Sequence, residues 1–176
     1  KTVDYIIECL NKVNRTLTAK AETRLYKVLG EIIQNAEEHS TTSKRYSIGY
    51  FENIESSEGK DYGIFNFSIL NFGNTIYETF SSPDCKNTKV VNQMKELSKK
   101  FTEKLFFMPS KFEEETLWTL YSLQDGVTRM QDWQRGNGSI RFIESFFKLK
   151  GNMDYDNISK MVINSGRTSV LFDGKY

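Results

Sequence analysis

The chain has 176 residues, 38% of them hydrophobic and 14% aromatic, and its 24 Lys and Arg nearly cancel 23 Asp and Glu to leave a net charge of +1. That length suits a single domain with a buried core, and the near neutrality removes the field that would steer a nucleic acid or an anionic membrane to it. Two cysteines in unrelated contexts, Cys9 and Cys85, and a single histidine exclude a disulfide framework and a patterned zinc site, so a reducing, cytoplasmic setting is expected.

The first predicted element is a helix over residues 2–13, where Val3, Ile6, Ile7, Leu10 and Val13 recur at the helical period. Its acidic residues set "KTVDYIIECL" apart from a signal peptide, and no apolar run approaches the ~20 residues of a membrane span. From Thr18 a longer helix follows to about residue 40, with Leu25, Val28, Leu29, Ile32, Ile33 and Ala36 on its apolar face. Two strand-like runs, "RYSIGYFENI" and "YGIFNFSILNF", flank the polar turn "ESSEGKD" and read as a hairpin. Their aromatic residues are expected in the core. Next come a turn at "NFGNTI", a helix from Lys86 to about Leu105, a further helix from Glu113 after Pro109, and the polar loop "DGVTRMQDWQRGNGS". An amphipathic helix over "SIRFIESFFKL" and two short strands, "KMVINSG" and "RTSVLFDG", close the order. Antiparallel strands with helices on one face make an α/β (α+β) two-layer sandwich the expected architecture.

Within the long helix, Glu31, Asn35 and His39 stand at intervals of four, so their side chains line one stripe that drifts only about 40° over two intervals. Asn35 offers an amide oxygen suited to a hard divalent cation, and Glu31 one turn earlier offers a carboxylate that can take a proton. Gly136 and Gly138, beside Arg135 and Asn137, would let backbone amides approach an anion at the start of the following helix.

Taken together, "EIIQNAEEH", "NFGN" and "RGNG" resemble the nucleotide-binding boxes of the GHKL, or Bergerat-fold, ATPase superfamily. The N box of that family reads roughly E-x-x-x-N-A-x-x-H and matches at Glu31, Asn35, Ala36 and His39. The D-x-G-x-G box falls on "NFGN", with Asn71 in the place of the Asp, Gly73 conforming and Asn74 assigned to the second Gly; Ile76 follows. The late glycine box falls on Arg135, Gly136, Asn137 and Gly138, preceded by a lid that begins near Gly126 in "LQDGVT". The resemblance covers about residues 18–172 and is closest to stand-alone bacterial histidine-kinase-like ATPases and anti-sigma-type kinases.

The resemblance implies a mixed, mostly antiparallel sheet covered by helices on one face, formed by one histidine-kinase-like ATPase domain over residues 1–176. An N-terminal helix occupies 1–17, the N-box helix 18–40, and the lid with its glycine box 126–138. It further implies ATP and Mg2+ as cofactors, Asn35 as the metal ligand, Glu31 as the catalytic base, and a protein partner or substrate, with a homodimer possible. The only histidine is already in the N box, so no phosphoacceptor histidine remains for autophosphorylation. Two other classes stand beside the enzyme: a nucleotide-gated interaction module and a pseudo-ATPase without turnover. The sequence departs from the family in its closing strand, which usually holds a Gly-Thr near the adenine and which nothing after "SVLFDGKY" supplies.

Overall fold

The computed structural model describes residues 2–39, 42, 45–54, 62–102, 113–124, 126–129, 138–150 and 160–173. Among them are six helices and two small antiparallel sheets, a mixed α/β composition. The chain forms two compact units, Lys1–Phe72 with Phe142–Ser159 and Gly73–Arg141 with Lys160–Tyr176.

The first unit opens with α1 (Thr2–Lys12), which buries Val3, Ile6 and Cys9 along one face. Asn14 ends it in the left-handed region at φ 54, and the Arg15 N–H returns to the Leu10 carbonyl at 3.0 Å, the kind of stop in which an Asn can replace Gly. Helix α2 (Ala19–His39) begins where the sequence places it, because the Thr18 hydroxyl accepts from the Ala21 N–H at 3.2 Å and satisfies an otherwise orphaned donor. Strands β1 (Arg45–Ile54) and β2 (Tyr62–Asn71) pair antiparallel along ten residues each, from Arg45 opposite Asn71 to Ile54 opposite Tyr62.

Alternation along this hairpin separates two faces. The inner one carries Phe51, Phe65 and Phe67. An added Cβ at Gly63 would overlap the Phe51 ring, and one at Gly49 would meet Phe65 at 3.1 Å and Phe67 at 3.2 Å, so both glycines give rings room to lie flat across the neighbouring strand. Phe65 and Phe67 pack against Val3, Ile6 and Leu29, which joins the hairpin to α1 and α2 in one core. Later in the chain, α6 (Gly138–Lys150) returns to this unit, where the Arg24 guanidinium donates to the Lys148 carbonyl at 3.0 Å and Phe142 is buried.

The outer face of the same hairpin departs from expectation. Tyr46, Ile48, Tyr50, Leu70 and Phe72 are all at least half exposed. Their aromatic and branched character favours strand, and that requirement can be met without burial on both faces.

The second unit is built on α3 (Ile76–Ser81), α4 (Thr88–Thr102) and α5 (Glu114–Ser122), with Phe80, Val90, Met94, Leu117 and Trp118 as its core. Helix α3 was not expected from the sequence, yet its capping box is legible there. Thr75 accepts from the Glu78 N–H at 3.1 Å, while the Glu78 carboxylate accepts from the Thr75 N–H at 2.7 Å. Asn87 opens α4 by accepting from the Val90 N–H at 3.2 Å.

Strands β3 (Met161–Ser165) and β4 (Thr168–Phe172) form the second hairpin through a two-residue turn at Gly166 and Arg167. Gly166 has φ 56, which suits the first position of a primed turn. It also lies so close to the Glu115 carboxylate that any Cβ would overlap it. That carboxylate accepts from the Arg167 N–H at 3.1 Å, Thr116 and Thr168 share a hydrogen bond of 3.1 Å, and the Ser165 hydroxyl accepts from the Ile76 N–H at 2.8 Å. Polar clamps therefore fix this hairpin to the starts of α3 and α5. Among the described residues, no helix is long and apolar enough to cross a membrane.

Candidate functional site

Helix α2 runs unbroken through "EIIQNAEEH". Val28, Leu29 and Ala36 face the core, and the helical period carries Glu31 and Asn35 to the flank of that face, where both are half-buried. Among the described residues, no side chain pairs with the Glu31 carboxylate or the Asn35 amide. Two polar groups one turn apart, partly withdrawn from water and not engaged with each other's neighbours, can still accept from an incoming ligand. His39 is the last residue of α2, and its side chain lies outside the described residues.

The exit of this helix is tied to the end of β2. Thr42, three residues past His39, donates its hydroxyl to the Phe72 carbonyl. Phe72 immediately follows Asn71, which is the last residue of β2 and is exposed. The exit of α2 and the end of β2 thus approach each other within the first unit through Thr42, which is not among the residues expected at the site. Its only signal was the hydroxyl-rich run "STTS" directly after the helix. The Phe72 ring also meets Tyr46 edge-on, with centroids 5.9 Å apart, which steadies the chain as it leaves the strand.

In the resembling pattern D-x-G-x-G counted from Asn71, the fifth position falls on Thr75, which is the N-cap of α3. Its hydroxyl and backbone are engaged in the capping box. Gly73 and Asn74 are exposed, and Ile76 is the first residue of α3, with its N–H given to Ser165. Beside it, the Tyr77 hydroxyl is held above its ordinary value by burial first and then by the carboxylates of Glu114 and Glu115.

The remaining candidates divide. Gly126 sits at φ 75 with nothing near its missing Cβ, so backbone conformation rather than crowding selects glycine there. Gly138 is the first residue of α6, one position ahead of the helix start expected at Ser139. Arg135, Gly136 and Asn137 lie outside the described residues. By unit, Glu31, Asn35, His39 and Asn71 belong to the first and Gly73, Ile76, Gly126 and Gly138 to the second.

A metal at this stripe would depend on oxygen donors. Among the described residues there is no cluster of three or more His, Cys, Asp or Glu, the arrangement that holds a transition metal or calcium through protein ligands alone. The Asn35 amide oxygen with the Glu31 carboxylate nearby fits a cation that takes one or two protein oxygens and completes its shell with water and phosphate, as magnesium does. Compared with known proteins, the chain matches no family model, no curated protein and no solved structure.

Proposed function

We propose that this chain is a nucleotide-binding domain of the histidine-kinase-like ATPase type, a two-layer sandwich with a mostly antiparallel sheet, which binds ATP with Mg2+. It hydrolyses the nucleotide or transfers its terminal phosphoryl group. The observation that carries the reading is the half-buried Glu31 and Asn35, without a side-chain partner among the described residues, on one continuous helix, with Thr42 just past its end tied to the residue after Asn71. Element type supports the reading as well: "EIIQNAEEH" is helical, Asn71 ends a strand and Gly138 starts a helix.

In this reading Asn35 supplies an amide oxygen to the cation, and Mg2+, when bound, offsets charge on the phosphate chain. Glu31 accepts the proton of the attacking water or hydroxyl group. Asn71 receives the adenine amino group through its carbonyl oxygen, a contact that an amide can make as a carboxylate does. The backbone near Gly138 and the start of α6 favour the phosphates by the positive end of the helix dipole.

A second reading, a nucleotide-gated interaction module or pseudo-ATPase without turnover, is favoured by the altered glycine box, where Asn71 replaces the acid and Thr75 the second glycine. The test has two stages. Calorimetric titration of ATP with Mg2+ should show binding by the native chain and at least about tenfold weaker binding by Asn35→Ala, the effect of losing about 1.4 kcal/mol; equal affinities would remove the proposed role of Asn35. Phosphate release then separates the two readings. Loss of turnover in Glu31→Ala with ATP binding retained supports the enzyme, whereas ATP binding without turnover by the native chain supports the gated module.

A further inference from the structure

We propose that the outer face of the β1–β2 hairpin docks a second copy of this chain. Alternation sends Tyr46, Ile48 and Tyr50 away from the face that packs Phe65 and Phe67 on α1 and α2. Leu70, opposite Tyr46, and Phe72 beyond it continue the patch, and the five residues are 55%, 61%, 50%, 53% and 55% exposed in the order Tyr46, Ile48, Tyr50, Leu70, Phe72. The cross-strand partners of Ile48 and Tyr50 are Ser68 and Asn66. These three successive pairs carry no charge, and the next pair on this face, Glu52 opposite Ile64, brings one carboxylate to its border.

Area and charge together select the occupant. Large side chains bury roughly 150 to 250 Å² when covered, so five of them half exposed leave about 500 Å² of largely apolar surface, near the upper end of what a monomer carries on one patch. Two such faces in contact would remove about 1,000 Å², the lower bound for a specific interface. With a single carboxylate at its border, Glu52, the patch gives a charged partner little to pair with. A copy of itself matches apolar surface to apolar surface across a twofold axis and leaves Tyr hydroxyls, Ser68 and Asn66 to exchange hydrogen bonds. An interface of this size is weak and depends on concentration.

Sedimentation equilibrium of the full chain without nucleotide tests this, so its outcome is independent of the ATP reading. Over about 5 to 500 µM the mass should rise from 20.5 kDa toward twice that value. Ile48→Asp and, separately, Tyr50→Lys should raise the dissociation constant at least about tenfold, with unchanged circular dichroism establishing that each variant is folded. Val162→Asp, at a 51% exposed position on β3, should associate as the native chain does. A native mass of 20.5 kDa across the whole range overturns the proposal and leaves the face to a different protein or another part of this chain. Association abolished by Val162→Asp but not by Ile48→Asp overturns it equally.

Discussion

The two units use their polar side chains differently. In the second, polar groups hold structure: the Trp118 Nε1–H donates to Ser98 at 2.7 Å, Ser98 in turn donates to Glu114 at 3.2 Å, and Glu115, Thr116 and Ser165 clamp the β3–β4 hairpin. In the first, the core is an apolar contact between two helices and an aromatic sheet face, and Glu31 and Asn35 stay out of it. Among the described residues, Glu31 and Asn35 are polar side chains that the core of the first unit does not engage, and their presence calls for another explanation.

That contrast can be broken by substitution. The largest expected effect is Met94→Ala, because Met94 is 0% exposed among Phe80, Leu117 and Trp118, and a cavity there should destabilise the second unit by about 2 to 5 kcal/mol in denaturant unfolding. Ser98→Ala comes next: it leaves the Trp118 N–H buried without its acceptor and should cost about 1 to 3 kcal/mol. The smallest is Asn35→Ala, which should change stability by no more than about 0.5 kcal/mol, since no described group relies on that amide. A loss as large as that of Ser98→Ala would place Asn35 among the structural residues and erase the distinction between the units.

Much of this was legible in the sequence for local reasons. The strand β1 falls on "RYSIGYFENI" and β3–β4 on the two short runs around Gly166, because β-branched and aromatic residues favour strand and, for β3–β4, Gly166 marks the turn. Helix α2 was readable from its period and from Thr18 at its start. Helix α3 was overlooked because six residues offer too short a window for periodicity, although Thr75 and Glu78 carried the capping signal three residues apart. The bare Tyr46, Ile48 and Tyr50 could not be foreseen, since composition says that a residue favours strand and not which of its two faces another element covers. At the candidate site, the stripe of Glu31 and Asn35 was visible as spacing. The bond from Thr42 to Phe72 joins residues thirty positions apart, and no local pattern encodes it.

The interleaving of the two units has a consequence for how the protein is made. A ribosome releases the chain from its amino end, so α1, α2 and the β1–β2 hairpin emerge first, but the unit they belong to still lacks Phe142–Ser159. The whole of Gly73–Arg141 must be synthesised before that piece appears, and this second stretch then waits for Lys160–Tyr176 to bring its own hairpin. No single cut divides residues 1–176 into two parts that each hold a finished unit. Translation halted shortly after Arg141 would leave both incomplete at once, with Phe142 not yet there to be buried and the polar clamps at Glu115 and Thr116 without their strand. The stretch from Phe142 onward thus decides whether either unit can mature.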